Sequence, residues 1–215
     1  MAKCDSSKEA FQGNYIVMKT RFLSEKTLKE LSKSLQYNFK KSYLLEVALT
    51  HSSLIGQDNQ NRKSNERLEF LGDRVLGIVI ADILLDRFPE ENEGDIARRF
   101  TALVRMETLG CIAGRLKLGK YILLSTGERQ MGGQTNTSLL ADACEAIIAA
   151  IYKDGGMDSA YKFIENHWED LIDNAPLPPQ DAKTELQDWA LKRGLPLPTY
   201  REIKRAGADH KPVFT

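Results

Sequence analysis

The sequence predicts an all-α domain followed by an incomplete α+β module, and three observations carry that expectation. Apolar residues recur at helical spacing from Lys26 to Ile172. Period-2 alternation is absent over the same span. A segment with three prolines, Asp173 to Asp181 (DNAPLPPQD), then separates this body from a short tail. The expected divisions are an N-terminal extension at 1–22, a helical domain at 23–173, a linker at 174–181 and the start of a second module at 182–215.

Taken in order, Met1 to Asn14 is polar and patternless, and Met18 is a second possible start. Leu28, Leu31 and Leu35 form one helical stripe; Tyr43 to Leu49 reads as a second short helix running into Thr50-His51-Ser52-Ser53. Gly56 to Ser64 is a polar loop. Asn65 is read as the N-cap of a long helix that Pro89 stops after Phe88. Asp95 to Val104 and Glu107 to Leu118 make two more helices, and the glycine-rich run Gly127 to Thr137 reads as a loop. Ser138 opens a helix closed by Gly155-Gly156, and Asp158 to Ile172 completes the domain. Ala182 to Lys192 is a short amphipathic helix before a strand-like stretch, Tyr200 to Lys204. The tail's 35 residues are too few to bury a core of their own.

Composition excludes several classes. Met1 to Thr20 lacks an apolar run behind a basic start, so no secretory signal is read there. Val75 to Leu85 is too short to span a bilayer and is broken by Asp82. Three scattered cysteines (Cys4, Cys111, Cys144) fit neither a zinc site nor a disulfide framework, and Cys111 and Cys144 read as small apolar residues in a reducing cytosol. The net charge is zero, which does not advertise a nucleic-acid partner. Residues 1–30 hold six basic against four acidic side chains and residues 181–215 seven against five, leaving 17 against 21 in between. An acidic body of this kind binds phosphate only through metal ions or local basic patches.

The informative feature is a set of carboxylates on apolar helices. Glu66, Glu69 and Asp73 stand at i, i+3 and i+7, one narrow face at ~100° per residue, on a helix whose apolar residues surround it and predict burial. Asp142 and Glu145 repeat the pattern at i and i+3 within Leu139 to Ile151, with alanines that permit close approach. An unpaired carboxylate buried there costs several kcal/mol or takes up a proton. Buried basic partners are one remedy: Arg67, Arg74, Arg98 and Arg99 are available, but the Asp142 helix carries no base before Lys153. Divalent metal is the other. No Glu-x-x-His accompanies these acids, which disfavours a ferritin-like di-iron oxidase. An oxygen-only donor set suits Mg²⁺ or Mn²⁺ and favours metal-assisted phosphodiester chemistry.

Asn65-Glu-Arg-Leu-Glu-Phe-Leu-Gly-Asp73 with Val75-Leu76 closely resembles the ribonuclease III signature. Ala48-Leu-Thr-His-Ser-Ser53, Phe88-Pro89, Glu93-Gly94-Asp95, Leu103-Val104-Arg105, Gly127-Glu128, Gly132-Gly133 and Leu140-Ala-Asp-Ala-Cys-Glu-Ala146 follow in matching order, so the resemblance runs from about Leu28 to Leu171. It implies a dimeric, helical endonuclease domain at 23–173. The cleaved duplex RNA would be left with 5′-phosphate and 3′-hydroxyl ends and a short 3′ overhang, in a cytoplasmic enzyme of ribosomal and messenger RNA processing. It further implies that Glu69, Asp73, Asp142 and Glu145 hold Mg²⁺ (Mn²⁺ as substitute), with Asp73 and Glu145 catalytic. Glu66 and Glu93 match outer acidic positions, Glu93 facing the partner subunit's site, and Phe70 matches an interfacial knob. His51 reads as a residue capping its own turn rather than a general base. The tail from Asp181 resembles the opening helix and strand of a double-stranded-RNA-binding domain that breaks off at Thr215.

Two positions depart from the family pattern. Arg74 replaces a small residue and, at i+1, is expected to point ~100° away from the acid face. Gln134 to Thr137 lacks the basic residue often found in that loop. No particular residue is assigned to RNA contact. The competing reading is a non-catalytic RNA-binding scaffold of the same fold, which has no reason to retain all four carboxylates.

Overall fold

Apolar content decides which helix becomes central. The computed structural model describes residues 23–55, 63–174 and 182–199 with the pairs 205–206 and 213–214. Within it, α8 (Thr137–Gly155) buries Ala141, Ala143, Cys144 and Ala146 through Ile151, each at most 3% exposed. At ~1.5–3 kcal/mol for each large aliphatic side chain removed from water, this one element supplies much of the apolar burial. Around it lie α1 (Glu25–Ser34), α2 (Ser42–Ala48), α3 (Ser52–Ile55), α4 (Glu66–Arg87), α5 (Glu93–Val104), α6 (Met106–Arg115), α7 (Thr126–Gln130) and α9 (Met157–Asp173). The predicted stripe of Leu28, Leu31 and Leu35 is buried against this core.

Local chemistry sets the helix ends. Ser24 caps α1 by accepting Thr27 N–H at 3.1 Å, and Asn92 caps α5 by accepting Asp95 N–H at 3.1 Å. Asn136 caps α8 through Ser138 N–H (2.9 Å) and Leu139 N–H (3.3 Å), so the helix begins one residue before the expected Ser138. Gly156, at φ +82, ends α8 as expected. Trp168 of α9 is fully buried and donates its indole N–H to the Leu103 carbonyl at 3.0 Å, tying α9 to α5.

A short extended crossing then fixes where α4 begins. Leu123 N–H donates to Leu49 O at 2.8 Å, His51 N–H to Leu123 O at 3.0 Å, and Asn65 N–H to Thr50 O at 2.8 Å. Asn65 was expected to cap α4 with its side chain. Instead it is 3% exposed, has helical φ and ψ, and makes no side-chain cap bond, because the tertiary pairing with Thr50 already orients it.

Three further expectations are corrected. The run read as a loop at Gly127 to Thr137 contains most of α7 and a 3₁₀ turn, Gly133–Thr135. Ser125 accepts Glu128 N–H at 3.1 Å, and Gly132, at φ +84, reverses the chain between the two turns. The helix predicted to be buried all round, α4, is covered on one side only. Phe70, Ile78 and Leu85 remain 62–65% exposed along its outer face. Cys144 is buried, but Cys111 is exposed on α6.

Beyond the linker, α10 (Ala182–Lys192) precedes a two-residue antiparallel ladder of β1 (Arg205–Ala206) and β2 (Val213–Phe214), pairing Arg205 with Phe214 and Ala206 with Val213. The expected N-terminal extension, most of the linker and the stretch Tyr200 to Lys204 lie outside the described residues. Among the described residues no helix is long and apolar enough to cross a membrane.

Candidate active site

The site begins with a glycine. α4 and α8 approach so closely that a Cβ on Gly72 would sit 1.8 Å from the Glu145 carbonyl oxygen. No other residue permits that approach without moving a backbone. Because Gly72 immediately precedes Asp73, the contact sets the acid face of α4 against Asp142 and Glu145 of α8. Glu69, Asp73, Asp142 and Glu145 are all half-buried there.

Their electrostatics record the juxtaposition. Burial raises the Glu145 carboxyl to about 8 from an ordinary 4.5, helped by the charges of Asp73, Glu69 and Asp142 and opposed by Arg74. Glu69 is pushed up by burial, then by Asp142, Glu66 and Asp73. Asp142 is pushed up by burial and eased by His51. Four acids from two helices therefore share one field. Glu66 lies at its exposed edge, accepting the Ser64 hydroxyl at 2.7 Å. Glu93 is exposed in the first turn of α5 and is not among the charges acting on this group.

Two of the four basic partners available from sequence are engaged elsewhere. Arg98 pairs with Asp95. Arg99 holds Glu91 through two 2.7 Å bonds and lies 3.9 Å from the Phe88 ring centroid. Arg74 alone of the four reaches the acids. It does not point away as expected: its guanidinium turns back onto Asp73 and lies 4.4 Å from the Phe70 ring centroid. A long side chain stacked one turn back spans the angle that the helical register imposes.

His51 does cap its own turn, its Nδ1 accepting Ser53 N–H at 3.2 Å and lying 2.9 Å from Ser53 Oγ. The Ser53 hydroxyl in turn accepts Ser125 N–H at 3.2 Å. The same ring lies near enough to Asp142 for its charge to oppose the effect of burial there. Sequence reasoning missed that proximity, which arises from the extended crossing at Thr50 and Leu123.

The donor set is all oxygen, which fits a hard divalent cation. Among the described residues no three His, Cys, Asp or Glu side chains form a ready-made ligand shell. Like charges repel and Asp73 is turned to Arg74, so the carboxylates share a field without closing on one point.

The acids do not line the open cleft of about 610 Å³ between α6 and the start of α8, where Lys117 and Lys120 stand with Gln134 and Thr135. The loop expected to lack a base thus has two lysines beside it, supplied by the turn after α6.

The family model described as Ribonuclease-III-like matches residues 41–171. Ribonuclease 3 of Ehrlichia ruminantium (strain Welgevonden) is 47% identical over 185 residues, covering 86% of this chain and 81% of that protein. Ribonuclease 3 of Caulobacter vibrioides (strain NA1000 / CB15N) is 45% identical over 187 residues, covering 86% and 80%. Among solved structures, the nuclease domain of ribonuclease III from Campylobacter jejuni is similar at 40% identity and a TM-score of 0.60, over 66% of this chain and 99% of that one. Its structural flexibility lies in a region involved in dimer formation.

Proposed function

The chain belongs to the ribonuclease III family of endoribonucleases, and on that premise we propose that it hydrolyses double-stranded RNA at the carboxylates gathered by the α4–α8 crossing. Residues 23–173 are the catalytic domain, 174–181 the linker, and 182–215 the opening of a double-stranded-RNA-binding module. The observation that supports this reading is the approach at Gly72, beside which Glu69, Asp73, Asp142 and Glu145 share one field with, among the described residues, a single guanidinium.

Glu69, Asp73, Asp142 and Glu145 would hold Mg²⁺, or Mn²⁺ in its place. Bound there, the metal supplies Lewis acidity for phosphodiester hydrolysis to 5′-phosphate and 3′-hydroxyl ends. The chain's own part is positional. Gly72 sets the helix spacing, and the apolar residues of α4 and α8 beside the half-buried carboxylates weaken their screening by water. The rigid crossing through Thr50 and Leu123 holds His51 near Asp142. Asp73 and Glu145 are the catalytic pair, and Glu66 and Glu93 are outer acids that steer the substrate's approach.

Exposure of Phe70, Ile78 and Leu85 along one face supports a homodimer with Phe70 at the interface, the two sites cutting opposite strands. Glu93, remote from its own site, then faces the partner's. Duplex RNA is chosen by A-form shape and its 2′-hydroxyls, with Lys117 and Lys120 as bases offered to phosphate. Structured ribosomal and messenger RNA precursors in the cytoplasm are the substrates that membership of the family implies.

Incubation with labelled duplex RNA tests the proposal. Cleavage in Mg²⁺, none in chelator, and loss in Glu145→Ala with duplex binding retained are expected. Duplex binding without cleavage in Mg²⁺ would favour the non-catalytic scaffold.

A further inference from the structure

Among the described residues Arg74 is the one guanidinium bonded to these acids, and its geometry gives it a definite task. Its Nη1 donates to Asp73 Oδ2, while the guanidinium lies 4.4 Å from the centroid of the Phe70 ring. Phe70 lies one turn back on the same helix, so α4 itself places the aromatic face beneath Arg74. Within one chain the Arg74 and Asp73 side chains are 57% and 45% exposed. A pair so placed is weak enough to be exchanged.

An oxygen that accepts from a guanidinium cannot at the same moment give the same lone pair to a cation. We infer that Arg74 is a built-in competitor for the divalent ion: it holds Asp73 Oδ2 in the metal-free protein, so an ion must either displace it from that oxygen or bind through Oδ1 beside its positive charge. This rests on the metal-dependent reading of the site above. Two effects act in the same direction, the ion pair that opens when Oδ2 is taken and the repulsion between a guanidinium and a nearby dication. Both lower metal affinity. In return Arg74 offsets part of the repulsion among four carboxylates when no metal is bound. It is a positioning residue for Asp73, one turn beyond the Phe70 on which it rests.

Mn²⁺ titration of the full chain, followed by the paramagnetic resonance signal of the free ion at fixed ionic strength, tests the inference without measuring cleavage. Arg74→Ala should bind Mn²⁺ about two- to fivefold tighter than the unaltered chain, the range set by an exposed ion pair. Arg74→Gln, which can still lie across Phe70 but has no charge, should do the same, and it replaces the alanine variant if that variant changes oligomeric state. Arg74→Lys should return the affinity toward the starting value. In parallel, the metal-free thermal midpoint of Arg74→Ala should fall while its rise on adding Mn²⁺ grows. Unchanged or weaker Mn²⁺ binding in both uncharged variants overturns the competitor role, since the pair would then be orienting Asp73 for the ion. Glu145→Ala separates the two levels of argument. If the unaltered chain binds Mn²⁺ and this variant does not, the metal site stands whatever Arg74 does. If neither the unaltered chain nor the Arg74 variants bind Mn²⁺, the metal reading and the competitor role fall together.

Discussion

Two corners of α4 use the same side chains to opposite ends. Near its C-terminus, Glu91 meets the almost fully buried Arg99 through two 2.7 Å bonds, with Phe88 stacked beneath. Hydrogen bonding from Arg99 holds the Glu91 carboxyl below its ordinary range. Near its N-terminus, four carboxylates share a field across the Gly72 crossing with, among the described residues, only Arg74 bonded to one of them, and burial drives Glu145 up to about 8. One corner satisfies its charges within the chain and so joins α4 to α5. The other gathers like charges with, among the described residues, only the Arg74–Asp73 pair to offset them. Charged residues therefore say little until their partners are known; the same Glu and Arg make a structural lock at one corner and, at the other, the site proposed for catalysis.

The sharpest way to break this contrast is to remove charge at each corner. Asp142→Asn or Glu145→Gln should lower duplex cleavage by about a thousandfold or more, as loss of a group that stabilises the reacting phosphate commonly does. Single-turnover rates at saturating Mg²⁺ measure it, and a rate within tenfold of the unaltered chain would remove that residue from the chemistry. Gly72→Ala should come next, because its Cβ would meet the Glu145 carbonyl oxygen at 1.8 Å. Forcing α4 from α8 should cost about 3 kcal/mol or more of stability, read from urea unfolding.

At the other corner, Arg99→Ala should lower the thermal midpoint by about 3–8 °C while cleavage persists wherever the fold is intact. Equal loss of activity and stability would mean that the two corners are not separate.

The metal-free pH dependence should differ as well. Glu145 titrates near 8 when folded against an ordinary 4.5, so between those values the folded chain keeps a proton that the unfolded chain has released. Stability from this group is complete at low pH and is lost as pH climbs through about 8. Glu145→Gln should flatten that slope and raise the metal-free midpoint at pH 8.5, gaining stability as it loses activity. The smallest effect concerns neither corner: Asn136→Ala removes the α8 cap and should cost about 1 kcal/mol.

Much of this was legible in the residues. The i, i+3 and i+7 spacing of Glu66, Glu69 and Asp73 and the i, i+3 spacing of Asp142 and Glu145 follow from helical register alone. The helical body, the Gly156 stop and the Leu28–Leu31–Leu35 stripe were legible for the same reason. Less was legible where partners are distant in sequence. Asn65 loses its expected cap to a backbone bond with Thr50, α7 forms inside a glycine-rich run because Ser125 caps it, and α4 is exposed along Phe70, Ile78 and Leu85 although its composition reads as buried.

The sequence by itself determined the chain's family, its helices and which acids share a face, because register and capping are settled within a turn or two of backbone. Only the tertiary structure decided that Gly72 is the point of contact between α4 and α8, that His51 comes near Asp142, and that Arg74 turns back to Asp73 while Arg98 and Arg99 are engaged elsewhere. Those outcomes depend on interhelical distance and on how long side chains are steered by their neighbours. Coulomb energy changes steeply over those few ångströms, and sequence spacing does not encode them.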